Sequence, residues 1–131
     1  MYIYSKKKNK LIACIYKVKK KIQNRKDLSP INEILQVGVI KLKDNFELKK
    51  HLHTQITRKT QGTQEIWIVM YGKIRVTFYD NDKTKISEKT LNEGDMSILF
   101  SGGHSLKCLK KGSIIYEIKN GPYKKKDLIR F

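Results

Sequence analysis

From Pro30 onward the chain is written in short apolar runs cut at regular intervals by turn residues, and this punctuation constrains the fold more than any other feature. Ile34 to Lys43, Phe46 to His53, Glu65 to Tyr71, Lys73 to Tyr79, Lys85 to Leu91, Met96 to Phe100, Leu106 to Leu109 and Ser113 to Lys119 are rich in β-branched or aromatic residues. Between them stand Asp44-Asn45, Gly72, Asp80-Asn81-Asp82, Asn92-Glu93-Gly94-Asp95, Gly102-Gly103 and Lys111-Gly112, residue types that reverse a chain. Apolar residues alternate or run continuously and seldom recur at three and four, so helical periodicity is poor in this stretch. Earlier, Leu11 to Val18 predicts one N-terminal strand, and Asp27-Leu28-Ser29-Pro30 a turn, since a residue before proline is driven extended. Eight or nine strands at such spacing predict an all-β sandwich or barrel. Residues 1–10 are expected to form a frayed basic arm and 11–131 a single domain, because 131 residues leave room for one core.

Charge is the next constraint. The formal net charge is +17, but 25 of the 29 basic residues are lysine and only Arg25, Arg58, Arg75 and Arg130 carry the planar fork that suits base edges and phosphates. The bias is toward bulk charge, and direct nucleic-acid binding is disfavoured. No stretch reaches the roughly 20 apolar residues of a spanning helix, and the lysine-rich start lacks the apolar core of a secretory signal. Cys14 and Cys108 form no CxxC pair, which removes a redox motif or zinc knuckle. A cytoplasmic chain without a membrane anchor is the expectation.

The three histidines carry the chemistry. In a strand from Phe46 to His53, the period of two puts Glu47, Lys49, His51 and His53 on one face. Both imidazoles then reach one cation at about 2.0–2.2 Å, the distance zinc and similar metals require. His104 follows Gly102-Gly103 in a turn where a distant strand can lie alongside. The competing reading is a polar strand face with no ligand.

Phe46 to Lys119 resembles the cupin superfamily. Its first motif reads Gly, five residues, His-x-His, three or four residues, Glu, six residues, Gly. Asn45 stands at the first glycine, His51 and His53 match, and Glu65 precedes Gly72 with six residues between. The second motif reads Gly-Asp, a few residues, Pro-x-Gly, two residues, His. Gly94-Asp95, Gly102 and His104 fit it, with Phe100 in place of proline and one residue fewer before the histidine. A branch of small bacterial cupins found among surface-polysaccharide biosynthesis genes is similar over the rest of the chain, in Asp27-Leu28-Ser29-Pro30, Leu35-Gln36-Val37, Thr63-Gln64-Glu65-Ile66-Trp67, Tyr79-Asp80, Tyr116-Glu117 and Gly121-Pro122-Tyr123. The resemblance implies a double-stranded β-helix, or jelly roll, with an added N-terminal strand, a homodimer, and a divalent metal (Zn, Fe, Mn or Ni) near one mouth held by His51, His53, His104 and Glu65. One departure bears on the glutamate: eleven residues separate His53 from Glu65, where the motif has three or four.

Other residues carry paired readings. Arg58 is a candidate grip for a substrate phosphate or carboxylate, or a surface arginine. Tyr116 and Glu117 point to opposite faces of one strand, so only one faces the interior. Glu117 shares its face with Lys119, as acid or base or as an ion pair. Trp67, alternating with Glu65 and Val69, is a wall for a sugar ring or a core aromatic. Gly72 suits a turn with positive φ, and Cys108 a buried inert thiol. Glu65 is a ligand, a general base, or a strand-end carboxylate paired with Lys73 or Arg75. Three functions follow: a metal-dependent, isomerase- or epimerase-like enzyme on a sugar or other small anionic molecule, a silent cupin binding sugar or metal as accessory or sensor, and, third, a basic nucleic-acid binder. The apolar run Leu11 to Val18 would leave an exposed sheet edge, a second argument for a dimer.

Overall fold

A computed structural model describes all residues except 19–21, 23, 123 and 125–127, so the Lys19-Lys20-Lys21 cluster, Tyr123 and most of the Lys124-Lys125-Lys126 run lie outside the described residues. The described chain is all-β, with ten strands: β1 Tyr2–Tyr4, β2 Leu11–Tyr16, β3 Arg25–Asp27, β4 Gly38–Ile40, β5 Glu65–Tyr71, β6 Lys73–Tyr79, β7 Lys85–Asn92, β8 Met96–Leu99, β9 Gly103–Cys108 and β10 Ile114–Lys119. They form an antiparallel sheet ordered β1-β2-β8-β5-β10, a second ordered β7-β6-β9, and a β3-β4 hairpin. None of the described residues forms a helix long and apolar enough to cross a membrane.

The five-stranded sheet is buried on both faces at its centre, which explains why β5 reads Glu-Ile-Trp-Ile-Val-Met-Tyr with little alternation. Its inner face sends Trp67, Val69, Ile15 and Leu99 against Ile74, Val76, Phe78 and Leu91 of the three-stranded sheet. Its outer face sends Ile66, Ile98, Cys14 and Tyr16 against Leu28, with Leu35, Val37 and Val39 packed beside them. The β5–β6 reversal needs a glycine: Gly72 has a φ of 87°, and a Cβ there would lie 2.3 Å from Ser113 Oγ.

Four differences from the sequence reading have local causes. Tyr2–Tyr4 is a strand rather than part of a frayed arm, because Ile3 is buried in the core and the Met1 amine donates to the Ile15 carbonyl at 2.8 Å. Ser5 Oγ, donating to buried Asp80 Oδ2, ties the end of that arm to the β6–β7 turn. With β1 in place, β2 is no longer an edge, and the edge argument for a dimer at Leu11 to Val18 fails. Ile34 to Lys43 contributes only Gly38–Ile40, paired with β3, a strand whose sequence Arg-Lys-Asp has no apolar residue to announce it. Finally, Phe46 to His53 is not a strand: 41–64 is exposed without regular structure until Gln64, and Leu52 is 97% exposed. Its apolar alternation breaks at Lys50 and it finds no neighbouring strand among the described residues to supply a ladder.

Candidate functional site

At one end of the two facing sheets, the starts of β5 and β9 and the end of β10 bring titratable side chains together. Glu65 opens β5 and points inward with Trp67; on β10, Lys119 lies opposite Glu65 and Glu117 opposite Trp67. His104 lies opposite Phe78 on β6 and shares its inward face. Glu65, Trp67, Phe78, Ser97, Leu99 and His104 line a narrow cleft with almost no free volume. A wider open groove, bounded by Ile22, Asn24 and Lys41–Asp44, holds none of the expected site residues.

The contacts in the cleft are specific. His104 Nε2 is 3.4 Å from Glu65 Oε1, too long for a well-formed hydrogen bond but close for a charge contact. Its ring stands edge-on to Trp67 with centroids 4.6 Å apart. Lys119 Nζ is 3.0 Å from Glu117 Oε2 and 3.6 Å from Glu65 Oε2, and Trp67 Nε1 donates to Glu117 Oε1 at 3.3 Å. Glu65 is 8% exposed, yet its Oε1 has no hydrogen-bond partner. Burial pushes the Glu65 carboxyl up, but neighbouring His104, Glu117 and Lys119 outweigh it and leave the group below its ordinary value. The Lys119 ammonium is raised, chiefly by its hydrogen bond to Glu117, with burial opposing.

Gln64 and Asn120, which sequence reasoning did not single out, fix where β5 begins. Gln64 is buried; its backbone N–H donates to Asn120 Oδ1 at 2.7 Å, its Oε1 accepts from Leu35 N–H at 2.9 Å, and its Nε2 donates to Glu33. Asn120 Nδ2 in turn donates to the Gly62 carbonyl at 3.0 Å. Leu35-Gln36-Val37 and Thr63-Gln64-Glu65 hold this signal, because a polar side chain in an otherwise apolar strand start must find partners once buried.

No family model, curated relative or solved structure matches this chain. The site is therefore read from its own geometry.

That geometry gathers some expected residues and disperses others. Glu65, His104, Trp67 and Glu117 meet at the cleft. Glu65 pairs with His104 and Lys119, not with Lys73 or Arg75. Glu117 and Lys119 form the ion pair that their shared face predicts. Tyr116 is 57% exposed on the outer face of β10, away from the cleft. Arg58 is exposed on 41–64. His51 and His53 sit edge to face with centroids 5.2 Å apart, both exposed, and His51 Nδ1 contacts the Lys49 carbonyl at 3.0 Å. Among the described residues no three His, Cys, Asp or Glu side chains are grouped as a metal would require. Two donors, Glu65 and His104, are assembled, and the His51–His53 pair stands apart. Cys108 is exposed rather than buried, because β9 is an edge of its sheet.

Proposed function

We propose that this chain is a small cupin-type jelly roll whose mouth binds a divalent metal ion through His51, His53, His104 and Glu65 and offers it to a small anionic molecule of the sugar class. The observation that carries the reading is Glu65: a nine-tenths-buried carboxylate whose Oε1 makes no well-formed hydrogen bond and has only a 3.4 Å contact to an imidazole nitrogen. An oxygen so incompletely satisfied is costly when buried, and a cation would satisfy the oxygen and the ring together. A carboxylate with imidazoles suits zinc, iron, manganese or nickel.

Backbone conformation supports the same reading. The positions where the cupin motifs carry glycine are Asn45, Gly72, Gly94 and Gly102, and their φ angles are 59°, 87°, 79° and 77°. Asn45 thus takes a left-handed conformation that glycine adopts freely and that asparagine tolerates better than most residues. β9, the strand of His104, has a free edge among the described residues. Residues 46–53 laid on that edge would carry His51 and His53 beside His104, and the eleven residues before Glu65 are ample to return the chain, at up to about 3.3 Å each.

A bound metal would polarise a carbonyl or acidify a water molecule. The chain's own residues would do the rest: with Glu65 held on the metal, Glu117 exchanges protons at the mouth, Lys119 neutralises both carboxylates, and Trp67 walls the cleft. The excess of lysine draws anions toward the surface.

The test is metal content per chain on protein purified without a histidine tag or chelator, then incubated with Fe(II), Mn(II), Zn(II) or Ni(II). Near-stoichiometric metal, lost in the His51→Ala, His104→Ala double variant, is expected. Absence of metal from the wild type would overturn the reading. Metal binding without turnover of keto or nucleotide sugars would assign an accessory or sensor role.

A further inference from the structure

The two sheets are finished differently on their outer sides. The five-stranded sheet is covered there by Leu28, Leu35, Val37 and Val39, whereas no apolar layer covers the three-stranded sheet among the described residues. Ile74, Val76 and Phe78 of β6 face the core, so the period of two turns Lys73, Arg75, Thr77 and Tyr79 outward. The register sets Thr90 and Lys107 on either side of Arg75, and Glu88 and Ser105 on either side of Thr77. Glu88 is the one carboxylate on this face, and it is shared: Lys85 Nζ lies 2.8 Å from it, Thr77 Oγ1 3.3 Å and Arg75 Nε 3.4 Å. Lys73 and Lys107 pair with no carboxylate among the described residues. Arg75 directly opposite Lys107 is a pairing that the fold itself does not reward, since like charges on facing positions of neighbouring strands repel. An anion above the two reverses that sign.

We infer that this outer face of β6, β7 and β9 binds single-stranded nucleic acid, with phosphates on Lys73, Arg75 and Lys107 and a base on the ring of Tyr79. Charge complementarity selects an anion, and the length of the face selects a chain of them: Lys73 to Tyr79 spans about 20 Å, more than one phosphate group covers. Tyr79 supplies the second element of such a surface, an aromatic ring beside the cations. Its hydroxyl lies 3.4 Å from Ser105 Oγ, which turns the ring toward β9, and Phe131 stands edge-on to it with centroids 5.3 Å apart. Between the cations and the ring stand Thr90 and Ser105, hydroxyl groups that suit sugar and phosphate oxygens and offer nothing to acyl chains. The scarcity of arginine argues against reading base edges in a duplex. It does not argue against a single strand, which is held through its backbone and by stacking on any base.

The face lies outside the metal cleft, and its test uses neither metal nor turnover. Fluorescence anisotropy of a labelled oligothymidylate of roughly 12 nucleotides is expected to show saturable binding at about 50 mM salt that weakens steeply toward about 200 mM. Lys107→Glu places opposite charges across β6 and β9, a change that favours the fold, so a loss of binding in this variant is not a loss of folding. It should weaken binding about tenfold or more and flatten the slope of log affinity against log salt by about 0.7. Tyr79→Leu keeps every charge and an apolar side chain, and should weaken binding by about fivefold or more through lost stacking. Lys43→Glu makes the same change in net charge three residues past β4, in the hairpin on the other sheet, and should alter binding by less than about twofold. No saturable binding, an equal loss in Lys43→Glu, or indifference to Tyr79→Leu would each overturn the inference. So would a duplex of the same length, polyglutamate or phosphatidylserine vesicles that bind as tightly as the single strand.

Discussion

Two stretches of this chain look alike as sequences and differ entirely as structures. Glu65–Tyr71 and Phe46 to His53 are each seven or eight residues, each rich in apolar positions, and each holds candidate metal ligands. The first lies between β8 and β10, with Trp67 and Val69 in one core and Ile66 in another. The second is exposed along its whole length. What separates them is the neighbour: β5 has a strand on either side and apolar layers above and below, whereas the arm has neither among the described residues. A strand is stabilised by its cross-strand and facing contacts more than by its own alternation.

The largest test of that contrast is amide hydrogen exchange. Ile66 and Ile98, at the centre of the five-stranded sheet, should exchange only on global opening, on the order of 5 kcal/mol or more, while residues 46–60 should exchange almost freely. Protection of the arm in protein without added metal would show that it has partners of its own. Next in size, Trp67→Ala should cost about 3–5 kcal/mol in urea unfolding, since it empties a core position and releases Glu117 and His104. The matched change Leu52→Ala in the arm should fall within about 0.5 kcal/mol. Gly72→Ala should destabilise by about 1–2 kcal/mol from its left-handed φ, with the Ser113 contact adding to that.

The smallest effect is the dependence on pH. Glu65 has a lowered folded-state value, so its contribution to stability is present above its ordinary value of 4.5 and is lost as pH falls through the lowered one. Lys119 is the opposite case: its raised value gives stability that is present below 10.5 and is lost as pH rises through the folded value. Denaturation midpoints should therefore fall on both flanks, and Glu65→Gln should flatten the acidic flank. An unchanged acidic flank in that variant would show that the carboxylate does not gain from His104 and Lys119.

Much of the two-sheet framework was legible because its strands carry their own punctuation. Gly72, Gly94 and Gly102 mark reversals that the backbone makes with positive φ, and β5 through β10 begin and end within a few residues of the expected bounds. Tyr2–Tyr4 and Arg25–Asp27 were not legible, because one rests on a single buried isoleucine and a terminal amine and the other on backbone pairing and an Arg25–Asp27 ion pair, with no apolar residue. At the site, the period of two correctly placed Glu65 with Trp67 and Glu117 with Lys119. The same rule, applied to Phe46 to His53, assumed a strand that needs a partner the sequence does not name. The Gln64–Asn120 clamp joins residues 56 positions apart, a distance local patterns do not span.

On the function proposed above, the arm joins the cleft when a divalent cation completes the Glu65–His104 pair. Hydrogen exchange of residues 41–64 with and without Zn(II) or Ni(II), in the wild type and in His104→Ala, tests it most directly. Metal is expected to protect the arm around His51 and His53 in the wild type, and His104→Ala to abolish this protection. An arm that exchanges as fast with metal as without it, or that is protected equally in His104→Ala, would contradict the claim.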